Sequence, residues 1–295
     1  MQHHHLSIGR RAFIAGNYTF LIFLSFLCLF PLVHVLAISF SSSSAAGAGL
    51  VKLWPVDFQL SSYRYILQKQ EFIQSFLVTL QRVALGFILN MLMSILCAYP
   101  LSKETSAFKY RTYYAWYFIF TILFGGGLIP WYLTVSETGL IDTIWALVIP
   151  GAVPVFNVIL LLNFFRGLPK EIEESAFMDG AGHWKVLWKM YVPLSLPSLA
   201  TISLFTLVGH WNAWFDGMIL MNFPDKYPLS TYLQLVVINS DPMKMSAGDI
   251  LKFAEISDRT TRAAQIFLGA LPILLVYPFL QKYFVKGIVL GSTKG

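Results

Sequence analysis

The chain has 295 residues, of which 56% belong to the hydrophobic set and only 12% are charged, against roughly 25% charged in ordinary soluble domains. So few charges cannot coat a water-soluble globule. The net charge of +6 does not form a nucleic-acid surface either, because the basic residues sit in short segments beside apolar runs, the ordinary topology signal of an inner-membrane protein. The composition therefore points to an all-α integral membrane protein that crosses the bilayer several times.

The first apolar run covers residues 18–40, preceded by Arg10 and Arg11. It is longer than the about 7–15 residues of a signal-peptide core, so it reads as an uncleaved span rather than a leader cut near Ala46-Gly47-Ala48. His3, His4 and His5 receive no role. Further runs lie at 72–101, 113–132, 143–165, 194–221 and 263–284, each close to the ~20 residues that cross a ~30 Å hydrocarbon core as helix. Six spans put both termini on one side. The tails and the segments 102–112 and 166–193 carry Arg10, Arg11, Lys103, Lys109, Arg111, Arg166, Lys170, Lys185, Lys189, Lys282, Lys286 and Lys294, which makes that side cytoplasmic. In the long opposite loop, 222–262, basic residues are offset by Asp225, Asp241, Asp249, Glu255 and Asp258. The whole chain, 1–295, reads as one transmembrane domain. Gly125-Gly126-Gly127 and the Pro150/Pro154 pair interrupt the third and fourth runs, where they permit close helix approach and kinks. Cys28 and Cys97 lie inside runs as small packing residues, not as a disulfide or a metal pair.

Some polar residues sit at membrane depth. Arg82 falls about 16 Å into the second run, and His210 roughly 20 Å beyond Pro197 in the fifth, at ~1.5 Å per helical residue. His210 belongs to the stretch GHWNAWFD, residues 209–216, which also holds Trp211, Asn212, Trp214 and Asp216. Asn157, near Pro154, is a weaker member of the same group. Polar side chains are costly in lipid and face a bundle interior or a water-filled cavity. The tryptophans also suit helix packing or an interfacial belt. A buried arginine needs a partner, and an anionic ligand, a backbone carbonyl or Asp216 would each serve.

Between the fourth and fifth runs, residues 166–193 are too polar to cross yet have helical order. Pro169 suits a first helical turn, Glu171, Glu173 and Glu174 follow where the helix dipole favours acids, and Gly180 and Gly182 end the segment. A second helix from His183 to Tyr191 places Trp184, Leu187, Trp188 and Tyr191 on one face, and Pro193 closes it. Such a hairpin could lie on the bilayer surface or offer its aromatic face to a groove on a soluble partner.

The order Glu174-Ser175-Ala176, three residues, Gly180, nine residues, Met190-Tyr191-Val192-Pro193 resembles the EAA loop of ATP-binding-cassette importer permeases, whose pattern is Glu-Ala-Ala, x3, Gly, x9, Ile-x-Leu-Pro. Ser175, Met190 and Val192 are the departures. Glu174, Asp179, Gly180, Ala181 and Pro193 match the form usual in the sugar-importer branch. The ending QKYFVKGIVLGSTKG and the pair Trp211-Asn212 are similar to permeases of the maltose-type carbohydrate group, in particular those for complex polysaccharides such as alginate or pectin fragments. This resemblance implies a six-span permease subunit of a bacterial inner-membrane importer, not itself an enzyme. Its implied partners are a second, homologous permease, two ATPase subunits, and an extracytoplasmic solute-binding protein that delivers an oligo- or polysaccharide. It also implies that Glu174, Ala176, Asp179, Gly180, Ala181, Trp184, Leu187, Trp188 and Pro193 meet the ATPase. Residues 222–262 and 41–71 would receive the binding protein.

The sequence itself has no G-x-x-x-x-G-K-[ST] loop, so ATP and Mg belong to the partner subunits and this chain is expected to bind no cofactor or metal. A sugar polymer has hydroxyl edges and flat C–H faces, and Arg82, Asn157, His210, Trp211, Asn212, Trp214 and Asp216 supply partners for both. A uronate carboxylate is one candidate partner for Arg82. The alternative reading is an ion-driven secondary sugar carrier working without an ATPase. It would need a membrane-embedded carboxylate, for which Asp216 is the candidate, and would leave the cytoplasmic loop unexplained.

Overall fold

A computed structural model describes residues 8–238 and 258–292, and all regular structure among them is helical. His3–His5, the loop section 240–249 and the last residues of the tail lie outside the described part. The chain divides into two compact units, Met1–Lys69 with Ser240–Ala270, and Gln70–Asn239 with Leu271–Gly295.

In the first unit, α1 (Ile8–Ser39) contains the first apolar run. Large side chains from Phe13 to Val33 are exposed along it, a surface suited to hydrocarbon. Only its C-terminal end is buried, where Ala37 and Ile38 meet Val51, Ala263, and Ala45 and Ala46 of α2 (Ser43–Gly47). Ser42 caps α2 by accepting the Ala45 N–H at 3.3 Å. α3 (Ser61–Gln68) is tied to the C-terminal helix Asp258–Ser292 by Ser62 Oγ donating to Thr260 Oγ1 at 2.9 Å.

The second unit is built around α4 (Gln70–Ser102), 33 residues long, or ~50 Å at ~1.5 Å per residue. Through the middle of the helix its buried face carries a stripe of small and polar residues at three- and four-residue spacing, Ser75, Thr79, Arg82, Gly86, Asn90, Ser94 and Ala98, with Phe72, Ile95, Tyr99 and Leu101 buried toward its ends. Leu77, Leu80, Ile88 and Leu92 face outward. Its middle is apolar outside and small or polar inside because lipid gives apolar side chains no reason to gather, while small residues let neighbouring backbones approach.

The third run is not one span-length helix. α5 (Arg111–Leu123) and α6 (Leu128–Glu137) meet at 113°. The three glycines cause the break rather than a close approach: Gly127 has φ +88, and a Cβ on Gly125 or Gly126 would meet nothing. The fourth run is helical only at its end, in α7 (Val155–Arg166), after a 3-10 turn at Ile144–Leu147. Between them Pro150 and Pro154, which lack N–H donors, prevent a continuous helix.

After α7 the chain forms α8 (Lys170–Met178), turns at Gly180 with φ +76, and resumes at His183. The second arm runs through α9 (His183–Val186), a π turn at Leu187–Tyr191 and α10 (Val192–Leu194). It therefore passes through Pro193 instead of closing there. The wider turn immediately before the proline suits a residue with no N–H to place in an α ladder. The break falls at Ser195, where the arm bends by 81° into α11 (Leu196–Asn212). The fifth run breaks again at Ala213 and Trp214, then continues as α12 (Phe215–Leu220) and, after a turn, α13 (Leu229–Ile238). Thr79 Oγ1 holds the start of α13 on α4 by accepting the Leu229 N–H at 2.7 Å.

Among the described residues two helices are long and apolar enough to cross a membrane, or up to four if each bent pair is one span.

Candidate functional site

α4, α7 and α11 pack together and leave a cavity of about 440 Å³ lined by Arg82, Asn90, Asn157, Thr206, His210 and Asp216, with Gly151 and Trp131 at its wall. Arg82 is 2% exposed. Its Nη1 donates to Asp216 Oδ1 at 3.0 Å and to the Ala213 carbonyl at 3.1 Å, while Nη2 donates to Asp216 Oδ2. Of the partners that the sequence leaves open for this arginine, the internal ones are therefore taken. The two-pronged pair is neutral overall and crosses from α4 to the break between α11 and α12. It uses the Ala213 carbonyl, which lies in that break, and Asp216 also accepts the Gly217 N–H at 2.9 Å.

His210 lies directly over Gly86. A Cβ on that glycine would fall 2.3 Å from His210 Nε2, so the imidazole occupies the room a side chain would take. Asn90 organises the other side. With its amide nitrogen toward the carbonyls of Gly86 at 3.1 Å and Gly151 at 3.2 Å, its oxygen accepts from His210 Nε2 at 3.3 Å. Asn157 Nδ2 donates to Thr206 Oγ1 at 3.1 Å. The wall is thus rich in hydrogen-bonding groups that already hold one another, an arrangement suited to brief contacts with a polar solute rather than tight capture.

Asn212, Trp214 and Asp216 line a second hollow with Gly127, Leu128 and Trp131. Trp211 lines neither. It is buried edge-on against Phe76, with ring centroids 6.0 Å apart, and its carbonyl accepts Ser230 Oγ at 2.5 Å. The four-residue GHWN turn carries His210 toward α4 and the cavity, and so turns the next side chain into helix packing.

In the hairpin, Trp184 is 66% exposed, and Trp188, Glu174, Asp179 and Pro193 are exposed as well. Leu187 departs from the expected outward face. At 3% exposure it belongs to the core with Ala176, Val186 and Tyr191 of the hairpin, Ala98 and Tyr99 of α4, and Phe165 of α7. Ala181 packs against the same core.

Asn90 and Thr206 in the cavity wall, and Gly86 beneath the His210 ring, were not singled out from the sequence. The three-and-four spacing of small and polar residues through 75–98 was the available signal for the α4 members, since an apolar run has no other reason to keep such a stripe.

A helical membrane bundle with a polar-walled cavity among broken helices, and a polar hairpin continuous with two of them, has the organisation of a transport permease. Residues 82–290 match the family of binding-protein-dependent transport system inner membrane components, and the chain belongs to that family. It is 37% identical over 278 residues to the polygalacturonan/rhamnogalacturonan transport system permease protein YtcP of Bacillus subtilis (strain 168), covering 94% of this chain and 96% of that one. Protein LplC of the same organism is 37% identical over 291 residues, with 99% and 98% covered. The fold is similar, with TM-score 0.88 and 32% identity, to a chain in the crystal structure of a bacterial ABC transporter involved in the import of the acidic polysaccharide alginate, covering 95% of this chain and 99% of that chain.

Proposed function

We propose that this chain is one of two permease subunits of an ATP-binding-cassette importer in a bacterial inner membrane, and that it lines half of the passage for an acidic oligo- or polysaccharide. The carrying observation is that α7 and α11, which wall the polar cavity, are the same helices that lead into and out of the hairpin. Whatever moves the hairpin moves the cavity wall. In this reading the protein crosses the membrane six times with both termini in the cytoplasm. The hairpin, 166–193, presents Glu174, Asp179, Trp184 and Trp188 to an ATPase subunit, and the loop 222–262 receives a solute-binding protein. ATP and Mg are held by the ATPase. Arg82, Asn90, Asn157, His210, Asn212, Trp214 and Asp216 face the passing sugar. Because Arg82 is already neutralised by Asp216, the passage carries no uncompensated positive charge here, and selection of the sugar rests with the binding protein. A site that held a polyanion tightly would trap it.

The test is reconstitution in liposomes with the second permease, the ATPase and the binding protein, followed by uptake of a labelled oligogalacturonate or alginate oligosaccharide. Uptake should require ATP and all four components. Uptake by this chain alone, driven by a proton or sodium gradient, would overturn the proposal.

A further inference from the structure

The hairpin is joined by the chain itself to α7, through residues 167–169, and to α11, through the bend at Ser195. α4 has no such link, because after Ser102 the chain leaves for α5. Yet α4 supplies Arg82 and Asn90 to the same cavity. A displacement of the hairpin would pull two walls by covalent connection and leave the third to follow by non-covalent contacts, among them Tyr99 Oη of α4 with His183 Nδ1 of the second arm at 3.1 Å.

The side chain that follows α4 adds a charged link to both arms of the hairpin. Lys103 is 8% exposed, and its Nζ donates to Glu173 Oε1 of α8 at 2.6 Å and to Tyr191 Oη of the second arm at 3.2 Å. Tyr191 Oη in turn donates to Glu173 Oε2 at 2.5 Å. The ammonium also lies 3.9 Å from the Tyr99 ring centroid and 4.2 Å from that of Tyr191, within cation–π range. A single lysine thus holds both arms of the hairpin at once. Burial pulls the Lys103 pKa down and Glu173 opposes it, so the charge at this depth depends on its partner. The neighbouring pair Lys170–Glu104 is different, since both side chains are largely in solvent, where ion pairs contribute little.

We propose that Lys103, Glu173 and Tyr191 form a clamp that makes α4 move with the hairpin, and that they are positioning residues for coupling ATP hydrolysis to the passage. The clamp rests on the reading of the hairpin as the ATPase contact. Separating Lys103 from Glu173 leaves a buried charge without its counterion, so the three groups travel together or not at all. The walls of the cavity then shift as one set.

The experiment uses the complete importer in liposomes and compares Lys103→Met, Lys103→Arg, Glu173→Gln and, at the hairpin tip, Trp184→Ala. For each, co-purification of the ATPase reports assembly, and sugar moved per ATP hydrolysed reports coupling. Lys103→Met and Glu173→Gln should still assemble and hydrolyse ATP, with sugar moved per ATP lowered about tenfold, a common size for a coupling free energy. Lys103→Arg, which keeps the charge, should recover part of the loss. An unchanged ratio in Lys103→Met and Glu173→Gln, with Trp184→Ala uncoupled, rejects the clamp and keeps the hairpin reading. If Lys103→Met fails to assemble, Glu173→Gln decides, because it keeps size and hydrogen bonding while removing the counterion. Trp184→Ala with wild-type coupling removes the hairpin reading and the clamp with it.

Discussion

Arg82 and Asp216 face each other across the boundary between α4 and the break that follows α11, with Nη1 and Oδ1 3.0 Å apart and a second contact from Nη2. Among the described residues Asp216 supplies the carboxylate that, with the Ala213 carbonyl, makes this arginine tolerable at 2% exposure. Removing either partner strands the other. Arg82→Ala or Asp216→Asn should each lower the stability of the purified importer by about 3–5 kcal/mol, the usual cost of breaking a buried pair. The double substitution Arg82→Met with Asp216→Leu should cost less than the sum of the single ones. Thermal unfolding of the three variants in one detergent measures this, and additive losses would mean that the two residues act independently.

Gly86 should be intolerant of any side chain. Its missing Cβ leaves the space that the His210 ring fills, 2.3 Å from where that carbon would stand. Gly86→Ala forces the ring away from Asn90, with an overpacking cost of about 1–3 kcal/mol, and should reduce uptake. Combining it with His210→Ala should restore stability but not uptake. Stability that stays low in the double variant would place the clash elsewhere.

Trp211 and Trp214 should separate cleanly. Trp211 packs on Phe76, so Trp211→Ala should destabilise by about 3–5 kcal/mol and impair transport only as far as the complex is lost. Trp214 borders the second hollow, so Trp214→Ala should leave assembly intact and slow uptake. Assembly and uptake measured on the same preparations distinguish the two, and the reverse pattern would exchange the roles assigned here.

Leu187 and Trp184 give a similar contrast on the hairpin. Leu187→Ala opens the core beneath it and should cost about 2–5 kcal/mol, whereas Trp184→Ala should leave the melting temperature unchanged and weaken retention of the ATPase during purification. Gly180→Leu adds strain at a φ of +76, which an L side chain rarely adopts, and should uncouple transport. Equal ATPase retention in Trp184→Ala and wild type would argue against an aromatic contact.

Asp142 makes stability depend on pH. The hydrogen bond from Lys226 Nζ, 2.5 Å from Oδ2, holds its carboxyl below the ordinary range, with burial opposing and the Asn222 N–H assisting. A carboxylate depressed in the folded state contributes fully above its unfolded value, about 3.9, and loses that contribution as pH falls through the folded value. The melting temperatures of wild type and Asp142→Asn should therefore differ at neutral pH and converge under strongly acidic conditions. A gap that persists unchanged would mean that the carboxylate charge is not its source.

The membrane class and the hairpin were legible in the sequence because each rests on a local signal: apolar runs of spanning length, and a glycine turn between two short helices. Arg82, Asn157, His210 and Asp216 stood out for the same reason, being polar where polarity is costly. Their arrangement was less accessible. Whether Trp211 or His210 faces the cavity depends on the rotation of α11, and two adjacent residues point about 100° apart on a helix. Leu187 could not be told from Trp184 by periodicity, since both lie on the apolar face of the same arm; only packing against Phe165 and Ala98 separates them. The breaks in the third and fourth runs were visible as glycine and proline, but a composition that permits a kink does not say whether the helix bends or stops.

α4 is unbroken from Gln70 to Ser102, and its two charged attachments, Arg82 and Lys103, lie roughly 31 Å apart by helical rise. Sliding by one turn, ~5.4 Å, would pull both out of register. The helix is therefore unsuited to act as a piston. It is suited to act as a lever: a tilt of about ten degrees about one attachment would swing the other by roughly 5 Å over that length and carry its partner with it. The stroke available to the passage is set by an angle.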